Sequence, residues 1–248
     1  MEIKKTYRLK FYEIINELLE YLYPDNITCI ICDNPIPKQN TYSLCKDCFN
    51  KLDFIIDGCV KCGKKYFNHS LEENLLCCTN CKNKKFYFNR AISCISYSEL
   101  SKKLVFRLKY NNHTYISKYI AKIMKEKLKI ENIKYDYILC VPLHKNRLKK
   151  RGFNQAQKIA KYLSELVEKP FLDVIKRDIK TKKLYNLGKS KREEELKNAF
   201  SVDYDFKNKN VLLIDDIFTT GATVNEISKQ LRFNNVSKIY VLTLLSKV

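Results

Sequence analysis

Glycine is scarce in this chain, at five among 248 residues. Gly58, Gly63, Gly152, Gly188 and Gly221 cannot be arranged as G-x-G-x-x-G, which excludes a plain Rossmann dehydrogenase. The run from Gly58 through Gly63 and Lys64 to Lys65 approaches a P-loop, yet Lys65 stands where a Ser or Thr would hold magnesium, and two cysteines fall inside it. Acidic residues are few as well, 27 against 47 Lys plus Arg, for a formal charge of +20. Long apolar runs are missing: uncharged stretches such as Ala91 to Ser98 fall well short of the roughly 18 residues that cross a bilayer. Lys4, Lys5, Arg8 and Lys10 make the N-terminus basic, but Glu13, Asn16, Glu17 and Glu20 interrupt the apolar positions that follow. No signal peptide is read there, and the expected location is the cytoplasm. Apolar (45%) and aromatic (12%) residues suffice to bury a core, and the length fits one full domain with a small one.

Cysteine, by contrast, is plentiful. Eight of the eleven form four Cys-x-x-Cys pairs: Cys29/Cys32, Cys45/Cys48, Cys59/Cys62 and Cys78/Cys81. A short turn between two thiolates sets both sulfurs on one side, and two such turns complete a tetrahedral zinc site with Zn–S distances of about 2.3 Å. The intervals of 12, 10 and 15 residues between pairs resemble those of zinc ribbons. Disulfides conflict with the missing export signal, and knuckles such as Cys59-Val-Lys-Cys62-Gly63 favour zinc over an iron–sulfur cluster. Two structural zinc ions are expected on these eight cysteines, with the sharing of pairs between sites left open. Cys77 is an alternative to Cys78, which is preferred because it keeps the two-residue knuckle. Cys94 and Cys140 lie in apolar strand-like runs and read as core.

Periodicity gives the organisation. Leu9, Tyr12, Ile15, Leu18, Leu19 and Leu22 recur at helical spacing, so residues 1–25 carry an amphipathic helix. Three glutamates along it favour packing onto the protein over lying on an anionic bilayer. Residues 26–85 form the double zinc ribbon module, and residues 90–248 a larger α/β domain. In the latter, Ala91 to Tyr97, Ile138 to Val141, Val211 to Ile214 and Ile239 to Leu245 read as strands. Helices are marked by Ile116 to Leu128, by Ile159, Leu163 and Leu166 behind an Asn154 cap, and by Val224, Ile227 and Leu231. Continuous apolar strands separated by amphipathic helices imply a mostly parallel sheet covered on both faces.

The segment Val211-Leu-Leu-Ile-Asp215-Asp216-Ile217-Phe218-Thr219-Thr220-Gly221-Ala222-Thr223 carries the chemistry. A buried strand ends in two carboxylates, and a hydroxyl-rich loop turns into a helix N-terminus. Ligands of open α/β sheets bind at such strand ends. Loop amides and the helix start hold a phosphate, and Gly221 permits its close approach. The carboxylates would repel that phosphate at contact, so they suit sugar hydroxyls a few ångströms away. The constellation fits a phosphorylated sugar. A Walker B strand is the competing reading, and it lacks a P-loop partner.

This stretch closely resembles the phosphoribosyl pyrophosphate (PRPP) signature of type I phosphoribosyltransferases, and nearly the whole chain resembles their ComF branch. The resemblance extends to Tyr23-Pro24, the cysteine-rich part, Leu108-Lys109-Tyr110, Val141-Pro142-Leu143-His144, Arg147, and Arg151-Gly152-Phe153-Asn154-Gln155-Ala156. It implies a type I phosphoribosyltransferase-like domain behind a zinc ribbon module, associated with DNA uptake in natural transformation and with proteins of the uptake machinery. By the same resemblance Asp215 and Asp216 bind the ribose hydroxyls, residues 219–223 the 5′-phosphate, and Pro142, Leu143 and His144 the pyrophosphate, with Arg147, Arg151 and Lys109 beside it. Magnesium would accompany PRPP. Leu184-Tyr-Asn-Leu187 and Arg192-Glu-Glu-Glu195 depart from the family pattern. Purine-salvage relatives carry an Asp where Thr219 stands, and a threonine cannot act as that base.

Charge supplies a second class of function. Two Cys-four zinc sites would lower the formal charge to about +16, still strongly basic. Lys145, Arg147, Lys149, Lys150 and Arg151 put five cations into seven residues, more than one pyrophosphate requires. They form a candidate strip for single-stranded DNA, with Phe153 as a stacking ring and Lys189, Lys191 and Arg192 as an extension. The readings carried forward are a phosphoribosyltransferase of unidentified acceptor, a regulator that binds PRPP without turnover, and a zinc-dependent single-stranded DNA-binding factor.

Overall fold

The computed structural model describes residues 27–66, 77–110, 113–177 and 199–247. The helix expected within residues 1–25 and the basic residues Lys189, Lys191 and Arg192 lie outside them. The chain forms two compact units, Met1–Asn50 and Lys51–Val248.

In the first unit, Thr28 and Pro35 pair in an antiparallel bridge and the Cys29 amide donates to Asn34 O at 2.8 Å. Asp33 closes the turn with φ 63°. The short helix α1 (Lys46–Lys51) carries Cys48 on its buried side. The second unit opens with the same device thirty residues on: Gly58 bridges Lys65, the Cys59 amide donates to Lys64 O at 2.8 Å, and Gly63 takes φ 69°. Cys29/Cys32 and Cys59/Cys62 thus sit in two copies of the same turn. A Cβ on Gly63 would lie 2.6 Å from Ser93 Oγ, so the second turn packs too closely on its neighbour to admit a side chain.

The α/β fold follows in order β1 (Arg90–Ser96), α2 (Glu99–Tyr110), α3 (Ile116–Glu131), β2 (Tyr137–Cys140), α4 (Lys145–Arg151), α5 (Gln155–Val167), β3 (Ile175–Arg177), β4 (Phe200–Val202), β5 (Val211–Phe218), α6 (Ala222–Phe233) and β6 (Ile239–Ser246). Four strands make a parallel sheet in the order β1-β6-β5-β2, and β3 pairs with β4 in a separate antiparallel sheet. Val211 to Ile214 are fully buried at the centre, as an unbroken apolar strand of a covered parallel sheet requires. Cys94 and Cys140 are buried core residues. Asn154 caps α5, its Oδ1 accepting from the Ala156 amide at 3.1 Å while its Nδ2 donates to Val141 O at 3.0 Å. One buried amide therefore fixes both the end of β2 and the start of α5.

The second cysteine turn is part of this core. Ile55 N donates to Cys94 O and Ser96 N to Asp53 O, so residues 53–55 pair with the outer edge of β1. Cys59, Cys62 and Cys81 pack in one cluster with Phe88, Leu213, Phe218 and Val224. Packing thus runs on from the second cysteine set into the sheet. Lys127 of α3, buried at 5% exposure, donates to Ile56 O at 2.6 Å and pairs with Glu131, which also holds Arg90. Among the described residues no helix is long and apolar enough to cross a membrane.

Candidate functional site

The cysteines gather into two sets of four. Cys29, Cys32, Cys45 and Cys48 form one, and Cys59, Cys62, Cys78 and Cys81 the other, with all sulfurs of a set within 4.8 Å of one another. Cys32 and Cys45 sulfurs lie 3.7 Å apart, as do those of Cys62 and Cys78. A tetrahedron of ligands at about 2.3 Å from zinc has edges of about 3.8 Å, so both sets fit the ion. No described cysteine is in a disulfide. Consecutive pairs share a site, and Cys78, not Cys77, completes the second.

Electrostatics agrees with a bound dication. In the second set Cys59 is pulled down to about 4, chiefly by the Cys62 thiol that donates to it, while Cys62 is driven up. Burial pushes Cys81 up to about 12. In the first set burial opposes ionisation of Cys29, yet amides of Cys45, Ile31 and Cys32 bring it down to about 7. Burial pushes Cys48 up and the neighbouring Cys59 does the same to Cys62, and a divalent cation would remove that conflict.

The second centre of interest is the C-terminal edge of the sheet. Strand β5 runs further than its apolar residues indicate, through both carboxylates to Phe218, with Asp215 registered on Thr243. Gly221 then turns the chain at φ 80° into α6. A Cβ there would meet Phe218 Cζ at 2.6 Å, so the loop lies flat on that ring. Thr220 Oγ1 accepts from the Ala222 amide at 3.3 Å, and Thr219 is exposed. The Val141 amide donates to Ile214 O at 3.0 Å, which brings the Pro142–Leu143–His144 loop out beside the end of β5. His144 caps α4, accepting from the Asn146 amide at 3.2 Å.

Lys109 forms an ion pair with Asp216, and Gln155 Nε2 donates to the same oxygen at 3.4 Å. Arg151 donates to Gln155 Oε1 in turn. Lys109, Arg151 and Asp216, three of the residues singled out in the sequence, are thereby joined in one network. Asp216 is 5% exposed. Burial alone would raise its carboxyl, but the Lys109 ammonium overrides it, with help from Asp215 and Arg151, and the net direction is down. Asp215 moves the other way. Burial and then the Asp216 charge push it well above the usual carboxylate range, although its Oδ1 accepts the Asp216 amide at 2.8 Å. The two adjacent acids are thus driven apart, Asp216 toward the ionised form and Asp215 toward the protonated form.

Asp215 predicts its own pH signature. The folded chain binds its proton more tightly than the unfolded chain, so its contribution to stability is greatest at low pH and declines as pH rises from about 3.9 through the elevated folded value. Asp216, shifted down, contributes above its unfolded value and loses that contribution as pH falls. Scanning calorimetry from about pH 4 to pH 8 should show Asp215→Asn gaining on the wild type toward the alkaline end. Parallel curves would remove the elevated proton affinity.

Gln155 and Arg177 belong to this region and are not among the sequence candidates. Gln155 is buried at the first helical position after its cap, a polar residue on a core-facing turn. Arg177 shares the buried parity of Ile175 across exposed Lys176. It lies over the Phe200 ring at 5.3 Å. Burial and then Arg147 oppose its charge, Asp215 favours it, and its pKa falls to about 10. Arg177 is hidden by its separation in sequence, whereas Gln155 stands within the Arg151 to Ala156 stretch and only its contact with Asp216 reveals its part. Phe153, the ring expected to stack, is only partly exposed, and Lys158 lies over it at 5.9 Å.

Comparison with known proteins follows the same division. Residues 18–82 match the Double zinc ribbon domain and residues 108–248 the Phosphoribosyl transferase domain. Competence protein F of Haemophilus influenzae is 30% identical over 228 residues, covering 87% of this chain and 95% of that protein. DNA utilization protein YhgH of Salmonella typhimurium is 26% identical, covering 86% and 94%. Competence protein ComFC of Streptococcus pneumoniae is 27% identical, covering 82% and 92%. With paired cysteine clusters, a parallel sheet ending in adjacent carboxylates and this full-length similarity, the chain belongs to the ComF family of proteins that join a zinc ribbon module to a phosphoribosyltransferase domain.

Proposed function

We propose that this protein binds PRPP with magnesium at the C-terminal edge of its parallel sheet and serves the handling of incoming DNA, the role that the names of its competence relatives indicate. The observation that carries the reading is the carboxylate pair at the end of β5, opening directly onto the Gly221 turn and the start of α6. Residues 219–223 take the 5′-phosphate through loop amides and hydroxyls. Asp215 and Asp216 accept hydrogen bonds from the ribose hydroxyls, which favours the ionised form of Asp215. Lys109, Arg147 and Arg151 face the pyrophosphate side, next to Pro142, Leu143 and His144.

Transfer would break the bond from ribose C1 to pyrophosphate, whose oxygen leaves with the electron pair, while an acceptor's lone pair forms the new bond. Magnesium supplies charge neutralisation for the departing pyrophosphate. The chain's own contribution is positioning of the sugar and electrostatic stabilisation by its cations. A ligand present at a hundred times its Kd stabilises a fold by about 2.7 kcal/mol. PRPP with magnesium should therefore raise the melting temperature at the site-bearing transition, and ribose 5-phosphate should do so less. No shift at saturating PRPP contradicts the reading. Release of pyrophosphate in the presence of an acceptor distinguishes an enzyme from a regulator that only binds.

A specific observation favours a second reading, binding of single-stranded DNA. Helix α4 concentrates Lys145, Arg147, Lys149, Lys150 and Arg151 and buries no residue, with Lys145, Lys149 and Lys150 exposed. Affinity for single strands should fall with salt at about −0.7 per phosphate contact. Replacing Lys149 and Lys150 with Ala should flatten that slope by roughly one to one and a half units and weaken all sequences alike. Fluorescence anisotropy across a salt series reads both quantities, and an unchanged slope moves the DNA site elsewhere.

A further inference from the structure

Two rings stand exposed beside the cationic helix. Phe106 is 53% and Tyr110 64% exposed, on the outer face of α2, and their centroids lie 4.8 Å apart with planes tilted by 43°. The inner face of the same helix buries Ser101, Leu104, Val105 and Leu108, so the rings are not needed for the core. Arg151, the last residue of α4, sits over the Tyr110 ring at 5.5 Å. The rings and α4 therefore form one continuous surface. Neither α4 nor α2 from Lys102 onward carries an acidic residue, and Lys103 adds an exposed cation one turn before Phe106.

Aromatic faces among closely spaced cations, without acids, match the needs of a single strand of nucleic acid, in which unpaired bases stack while phosphates are neutralised. A duplex hides the base faces, so a single strand is the form of nucleic acid these rings can serve. We infer that Phe106 and Tyr110 form a base-stacking platform for single-stranded nucleic acid, continuous with the cations of α4. This rests on the second reading above and deepens it by assigning the stacking ring to α2 in place of Phe153. It also sets the strand at the rim of the ribose-phosphate site, because Lys109, next to Tyr110, holds Asp216 and Arg151 reaches the same carboxylate through Gln155.

The absence of tryptophan from the chain makes the test direct. The Tyr110→Trp variant of the zinc-loaded full chain carries a single indole, which retains a stacking face and reports on it. Addition of a short oligothymidylate should quench the indole emission, and high salt should reverse the quenching. In anisotropy titrations, Phe106→Ala combined with Tyr110→Ala should weaken oligothymidylate binding by about fivefold or more, the size of one lost stacked base, while the salt slope stays that of the wild type. Phe233→Ala, which removes a 72% exposed ring on α6, should bind as the wild type does. A duplex of equal length should bind more weakly and leave the indole emission of Tyr110→Trp unaltered.

Unchanged affinity of the double-alanine variant together with unquenched emission from Tyr110→Trp, in a protein whose Lys149/Lys150 variant does lose affinity, overturns the platform and leaves the cationic strip standing. The reverse pattern keeps the platform and removes the strip. A wild type that does not bind oligothymidylate overturns both. An indole in Tyr110→Trp already shielded from acrylamide without nucleic acid shows that another part of the chain covers the rings, and it too overturns the proposal.

Discussion

Cys59→Ser is expected to lose one zinc equivalent and to destabilise the whole α/β unit, whereas Cys29→Ser loses one equivalent with disruption confined to the first unit. The asymmetry follows from packing. Cys59, Cys62 and Cys81 belong to the same cluster as Leu213 and Phe218 of the central strand, and residues 53–55 pair with β1. Phe88, seven residues beyond Cys81, meets Phe218 edge-on at 6.2 Å. The Tyr87 amide donates to Asn225 Oδ1 at 2.7 Å, and Arg232 donates to Tyr87 O and Asn89 Oδ1, so the segment behind the second cysteine set clasps α6. Structural zinc contributes about 10–16 kcal/mol of apparent binding free energy in small modules, comparable with the roughly 5–15 kcal/mol that stabilise a whole domain. Metal analysis and calorimetric unfolding of the two variants read the effect. Equal losses of stability would separate the second ribbon from the core.

The second large effect is expected at the carboxylates. Asp215→Asn with Asp216→Asn should weaken PRPP binding by about 10²- to 10⁴-fold, since charged acceptors for two sugar hydroxyls are lost at about 1.5–3 kcal/mol each. The fold should survive. Asparagine is nearly isosteric, the Asp215 charge is a burden before ligand binds, and only Lys109 is left without its counterion. A cooperative unfolding transition retained by the double variant, alongside lost affinity, separates a binding role from a structural one.

The parts legible in the sequence are those whose chemistry is local. Four Cys-x-x-Cys turns announce metal whatever surrounds them, but which turns face each other depends on chain paths that spacing does not encode. The end of β5 is legible because an unbroken apolar strand, two acids and a hydroxyl-rich turn follow in thirteen residues. Helix α2 escapes the periodicity. Its buried stripe of Ser101, Leu104, Val105 and Leu108 is narrow, and exposed Phe106 disturbs the period. Helix α4 has no apolar face, so it leaves no periodic trace. The Lys109–Asp216 pair and the Phe88–Phe218 contact each join residues more than a hundred positions apart. Such contacts exist only once the sheet has formed, and neither the split proton affinity of the two acids nor the attachment of the second ribbon follows from local pattern.

Calorimetric titration of the zinc-loaded full chain with PRPP and magnesium tests the central claim most directly, run beside the Asp215→Asn, Asp216→Asn double variant. One saturable site in the wild type and loss of at least about 10²-fold in affinity in the variant are the expected results. No saturable heat in the wild type, or equal affinity in the two proteins, would contradict ribose-phosphate binding at the end of β5.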